Sequence, residues 1–164
     1  MGFGYHARED RLVLFLTSGA GERQLFITRR ICLGLVSVLS RVLERSVGGG
    51  QSLSDDVREA VVFIEHQRSI FDLPSPGQKD APTERAKLDM NAAKLVTAVN
   101  IKSVPQEFTL AVSAGAEQVA QFKFGRRDMH RFLETLKTQA EKAKWDSPLA
   151  QGWLGLADED VTFE

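Results

Sequence analysis

RLVLFLTSG, residues 11–19, places Leu12, Leu14 and Leu16 on one face of an alternating segment and Val13 and Phe15 on the other. Both faces are apolar, as in a strand buried on two sides. Gly19 and Gly21 supply a turn. RQLFIT (23–28) then reads as a return strand, so residues 11–28 predict a β-hairpin. The period changes directly afterwards. Cys32, Leu35, Val36, Leu39 and Leu43 recur at helical intervals, with Thr28 as the N-cap and Gly48-Gly49-Gly50 as the stop.

A second helix is predicted over 52–70. It opens on Ser and Asp residues and carries the stripe Val57, Ala60, Val61 and Ile64. Three prolines mark 73–87 as a mobile surface loop. Alternation resumes over 94–104. EFTLAVSAG (107–115) and EQVAQFKFG (117–125) predict a second hairpin. A last helix then carries Met129, Phe132, Leu133, Leu136 and Ala140.

The two helix stripes and the pairs Arg29-Arg30 and Arg126-Arg127 share one offset of 97 residues. The upstream strands need a one-residue shift to align. The pattern is a hairpin–helix unit used twice. A lone hairpin with one helix is marginal, whereas two units sharing a sheet bury each other. The expected fold is therefore α+β: a mostly antiparallel sheet of about five strands shared by two hairpin–helix units, with a third helix between them. The chain divides into a first unit (11–47), a connecting helix (52–70), a loop (72–90), a strand with the second unit (93–143) and a tail (144–164), all in one domain. Two-sided apolar strands predict helices, or another subunit, on both faces. Leu33, Val38 and Val42 lie outside the main stripe of the first helix and, with Trp145 and Trp153 of the tail, are candidate interface residues.

Composition narrows the function. The 164 residues are 43% hydrophobic and 26% charged, with a formal net charge of −1. The whole molecule is thus no electrostatic attractant for nucleic acid or anionic membrane. A single cysteine, Cys32, excludes an intramolecular disulfide and a Cys-rich zinc site. No signal-peptide pattern opens the chain, and ICLGLVSVL is too short to span a bilayer. A soluble, cytoplasmic protein without membrane contact is expected.

Arginine in a helix's first turn opposes the macrodipole, so the four arginines ask for compensation. Arg29, Arg30, Arg126 and Arg127 are candidates for binding an anion or single-stranded nucleic acid, with Phe26, Phe122 or Phe124 as stacking surfaces. The strand–strand–helix order resembles, in topology, PUR-type single-strand-binding domains. The structural alternative is that the arginines pair with nearby carboxylates such as Glu22 or Asp128. Cys32 sits on the buried stripe and reads as a small hydrophobe. His6, His66 and His130 show no metal-ligand spacing, and no nucleophile motif occurs. The leading expectation is a non-enzymatic homodimeric binding or accessory protein, with no cofactor and no metal, that takes a protein partner. The alternatives are anion or single-strand binding through the arginines, and an enzyme using Glu65, His66 or His130 where those groups converge.

Overall fold

The computed structural model describes residues 1–18, 21–48, 53–71, 89–104 and 106–145. Its elements in chain order are β1 (Gly2–His6), β2 (Arg11–Ser18), β3 (Gly21–Thr28), α1 (Arg29–Arg45), α2 (Asp55–Ile70), β4 (Lys94–Leu95), β5 (Ala98–Val104), β6 (Glu107–Ala114), β7 (Glu117–Gly125) and α3 (Arg126–Lys142). The fold is α+β, but the strands form two sheets rather than one. Strands β1-β2-β3-β4 make the first, and β5-β6-β7 make the second. All pairings are antiparallel except β3 with β4.

Two features separate this from a single sheet of about five strands. The segment 94–104 changes partners midway: Val96 N–H donates to Phe26 O at 2.9 Å, and Thr97 N–H donates to Ser113 O at 2.9 Å. One continuous stretch of chain therefore lines the edge of each sheet in turn. The second feature is β1, which pairs with β2 from Gly2 opposite Phe15 to His6 opposite Arg11. The repeated unit is thus three strands and a helix, not a hairpin and a helix.

The one-residue shift between the units has a physical cause. The β6–β7 register slips at Val112/Ser113, where Ala120 faces Val112 but Gln118 faces Ser113. Val119 is the extra, bulged residue. It is buried, and its carbonyl accepts a hydrogen bond from Arg23 Nη1 at 2.7 Å, which joins the bulge to β3. Beyond the bulge the offset of 97 holds through α1 and α3, each 17 residues long.

The expected helix stripes are both buried: Cys32, Leu35, Val36, Leu39 and Leu43 on α1, and Met129, Phe132, Leu133, Leu136 and Ala140 on α3. They meet Leu12, Leu14, Leu25 and Ile27 of the first sheet and Phe108, Leu110 and Val112 of the second in one core. Helices α1 and α3 therefore cover the same side of both sheets. Of the expectation of helices, or another subunit, on both faces, the helix half is not met on the other side: among the described residues no helix covers it. There, Val13 and Phe26 are buried as a cross-strand pair, with the Arg11 guanidinium 5.7 Å above the Phe26 ring and His6 beside it. The equivalent face of the second sheet presents Asn100, Lys102, Thr109 and Lys123, so its alternation is apolar on one side only.

Helix α2 forms a third layer. It packs on α3 and more lightly on α1. Most of the expected inward stripe turns outward. Val57, Ala60 and Ile64 face solvent, Val61 is half-buried against the core, and the buried residues are Val62, His66 and Ser69.

Candidate functional site

Helices α1 and α3 run antiparallel. Arg126, the first residue of α3, reaches the C-terminal end of α1, where its Nη2 donates to Leu43 O at 2.9 Å and its Nη1 donates to Ser46 Oγ at 2.7 Å. The same guanidinium holds Glu65 Oε2 of α2 through Nε at 2.9 Å and Nη2 at 2.6 Å. Arg126 thus satisfies a carbonyl that the end of α1 leaves open, and ties three helices together.

The two arginine pairs do not face one another. Arg29 and Arg30 are exposed at the other end of the helix pair, where Thr28 Oγ1 accepts from Ile31 N–H at 3.3 Å and caps α1. A 17-residue helix is about 25 Å long, which separates the pairs by that order. The proposed stacking aromatics are also engaged within the chain. Phe122 stacks on Phe124 at 6.0 Å, and Phe124 stacks on Phe132 at 5.0 Å, on the helix-facing side of the sheet. Phe26 is buried.

Around Arg126 lies a chain of polar groups that sequence spacing does not reveal. His66 Nδ1 stands 3.3 Å from His130 Nδ1, and His66 Nε2 stands 3.1 Å from Glu134 Oε2. His130 Nε2 lies 3.7 Å from Glu65 Oε2, an ion-pair rather than a hydrogen-bond distance. Both rings are buried, at 3% and 0% exposure. Burial pushes His130 down to about 4, helped by the neighbouring His66 and Arg126 and opposed by Glu65. Burial alone would raise Glu134; the hydrogen bond from His66 and the Lys137 charge outweigh it and hold Glu134 below its usual range.

One end of this chain has a fixed direction. Glu134 is ionised, so His66 Nε2–H donates to it. A hydrogen bond between the facing Nδ1 atoms of His66 and His130 carries a single proton. One further residue closes the α2–α3 contact: Arg131 Nε donates to Ser69 O at 2.9 Å, while Ser69 Oγ donates to Glu65 O at 2.7 Å. Glu65, His66 and His130 therefore converge, as the enzyme alternative requires. They do so inside a helix–helix contact rather than in a deep cleft.

Over this contact is a shallow, open recess of about 350 Å³ lined by Glu65, Arg68, Ser69, Arg126, Arg127 and His130. It sits at the head of α3. The N-cap there is Gly125, which supplies no side-chain hydrogen bond to the first turn. Among the described residues no group of three His, Cys, Asp or Glu side chains has a geometry that holds a metal ion. A second recess of about 410 Å³ lies between β3 and the β6–β7 turn, bridged by Lys94 Nζ donating to both Glu117 carboxylate oxygens at 2.7 and 2.8 Å.

The remaining candidates fall elsewhere. Leu33 and Val42 are half-buried against the core, and Val38 is half-buried on α1. Trp145 is buried in its own chain, donating through Nε1 to Asp10 Oδ1 at 2.6 Å and meeting Tyr5 edge-on. Trp153 lies outside the described residues, as do Gly49, Gly50 and the loop prolines. Cys32 is fully buried, and burial pushes its thiol up to about 12. No described helix is long and apolar enough to cross a membrane. Comparison with known protein families, with curated proteins and with solved structures finds no match to this chain.

Proposed function

We propose that the protein is a binding module that takes a phosphate-class anion at the recess heading α3. The observation that carries this reading is the convergence of Arg68, Arg126 and Arg127 from two helices around an uncapped helix start. Backbone N–H groups and guanidinium forks there offer one concave surface to an anion. Arg126 is held by Glu65 and fixes the recess, while Arg68 and Arg127 are exposed at its rim. Burial of His66 and His130 supports binding over catalysis: His66 does not line the recess, and His130 lines it without exposed surface. The separation of the arginine pairs and the engagement of Phe122 and Phe124 favour a compact phosphate over an extended nucleic-acid strand.

Calorimetry with pyrophosphate at low ionic strength tests this, with a labelled single-stranded oligonucleotide as a parallel arm. Pyrophosphate binding is expected to weaken with added salt and to drop at least tenfold in an Arg68→Ala/Arg127→Ala variant. Absence of binding at low salt, or unchanged binding in the double variant, refutes the reading. Tight oligonucleotide binding without pyrophosphate binding would replace it with the nucleic-acid alternative.

A further inference from the structure

Helix α2 is two-faced in a way that its own fold does not use. Val62, His66 and Ser69 pack inward. On the opposite side Val57, Ile64 and Phe71 recur every seven residues and are 47%, 50% and 86% exposed, with Phe63 beside them at 45%. Ala60 and Gln67, both exposed, fill the intermediate positions. Apolar residues at this interval form the seam along which two helices pack. The seam is the outermost layer of the described structure, so no described element stands between it and an approaching helix.

We propose that this face is the contact with a second copy of the chain, with two α2 helices packed antiparallel about a twofold axis near Ile64. Charge chooses the occupant and its direction. The first turn of α2 holds Asp55 and Asp56, and its last turn holds Arg68. An antiparallel copy lays each acidic turn toward the basic turn of its mate and opposes the two helix dipoles favourably. A parallel copy stacks like charge on like charge. A twofold interface needs one self-complementary patch, and this helix is such a patch. The exposed side chains supply on the order of 400–500 Å² per copy, short of the ~800 Å² of a standard interface, so the dimer forms at micromolar rather than nanomolar concentration. The contact is carried by Val57, Phe63, Ile64 and Phe71, none of which lines the recess; Arg68, which does, sets only its direction.

Sedimentation of the full chain from 1 to 500 µM tests the proposal. The weight-average mass is expected to rise from monomer toward dimer across that range. Ile64→Glu, at a half-exposed position that leaves the fold unchanged by circular dichroism, should weaken association at least tenfold. Direction is read by oxidation: Ile64→Cys meets its own copy near the axis and forms a covalent dimer, whereas Val57→Cys, which faces the Phe71 end, does not. Buried Cys32 does not interfere. A monomeric mass at every concentration, or association of Ile64→Glu equal to the parent, overturns the proposal. Equal cross-linking of both cysteine variants overturns the antiparallel arrangement.

Discussion

His66 and His130, sixty-four positions apart in the chain, bring their Nδ1 atoms to 3.3 Å in the contact between α2 and α3. A hydrogen bond between the two facing nitrogens carries one proton. The arrangement holds α2 on α3, and burial with Arg126 nearby disfavours a charge on His130.

Acid should loosen this contact. The folded protein holds His130 at about 4, whereas the unfolded chain titrates it near its ordinary 6.5. Between those values the unfolded chain binds the extra proton, so stability falls as pH drops through the window and is fully present above it. The other groups facing the pair are Glu65 on α2 and Arg126, Glu134 and Lys137 on α3. Glu134 is held low, so its contribution is lost in the same direction but at lower pH. Thermal melts from pH 8 to pH 4 should show a decline approaching roughly 3 kcal/mol, most of it removed in His130→Asn. An equal decline in that variant would refute the assignment.

The repeat supplies a paired comparison. Arg126→Ala removes the links to Glu65, Ser46 and Leu43 and leaves a half-buried carboxylate uncompensated. The expected loss is about 3 kcal/mol. Its counterpart Arg29 is exposed at the opposite end of the helix pair, and Arg29→Ala should cost about 0.5 kcal/mol or less. Urea melts of the two variants decide it; equal losses would mean that Arg126 is not a clamp.

Gly125 offers a separate lever. Its φ of −69° and ψ of 166° suit any N-cap residue, and a Cβ added there meets nothing within 4 Å. Gly125→Asp should stabilise α3 by about 0.5 kcal/mol through the missing cap. The same carboxylate occupies the N–H groups at the recess, so it should also weaken pyrophosphate binding at least fivefold. Calorimetry and melting of one variant read both effects, and tighter binding would contradict the placement of the anion.

Cys32 should be inert. With no exposed surface and a thiol pushed up to about 12, it has negligible thiolate at neutral pH. A thiol-reactive chromogen should label it only after denaturant is added. Rapid labelling of the native protein would show that the α1–α3 contact opens.

Much of the framework was legible because it is periodic. The stripes from Cys32 to Leu43 and from Met129 to Ala140, the Thr28 cap and both hairpins lie where alternation and helical spacing put them. Strand β1 is not legible because Gly2 and Gly4 carry no side chain to show alternation. The face of α2 is not legible either, because periodicity marks an apolar stripe without saying which way it turns; Val57 and Ile64 point out, and the polar His66 and Ser69 point in. The His66–His130 contact was illegible for a simpler reason. No spacing rule links residues on separate helices, and only packing brings α2 across the head of α3.

The most direct test follows backbone amides by NMR while pyrophosphate is added at low salt. The two arginine pairs serve as each other's control. The account predicts saturable shifts at Arg68, Ser69, Arg127, Asp128 and Met129, with Arg29, Arg30 and Ile31 unmoved. Shifts centred on the capped start of α1, or none at the head of α3, would contradict it.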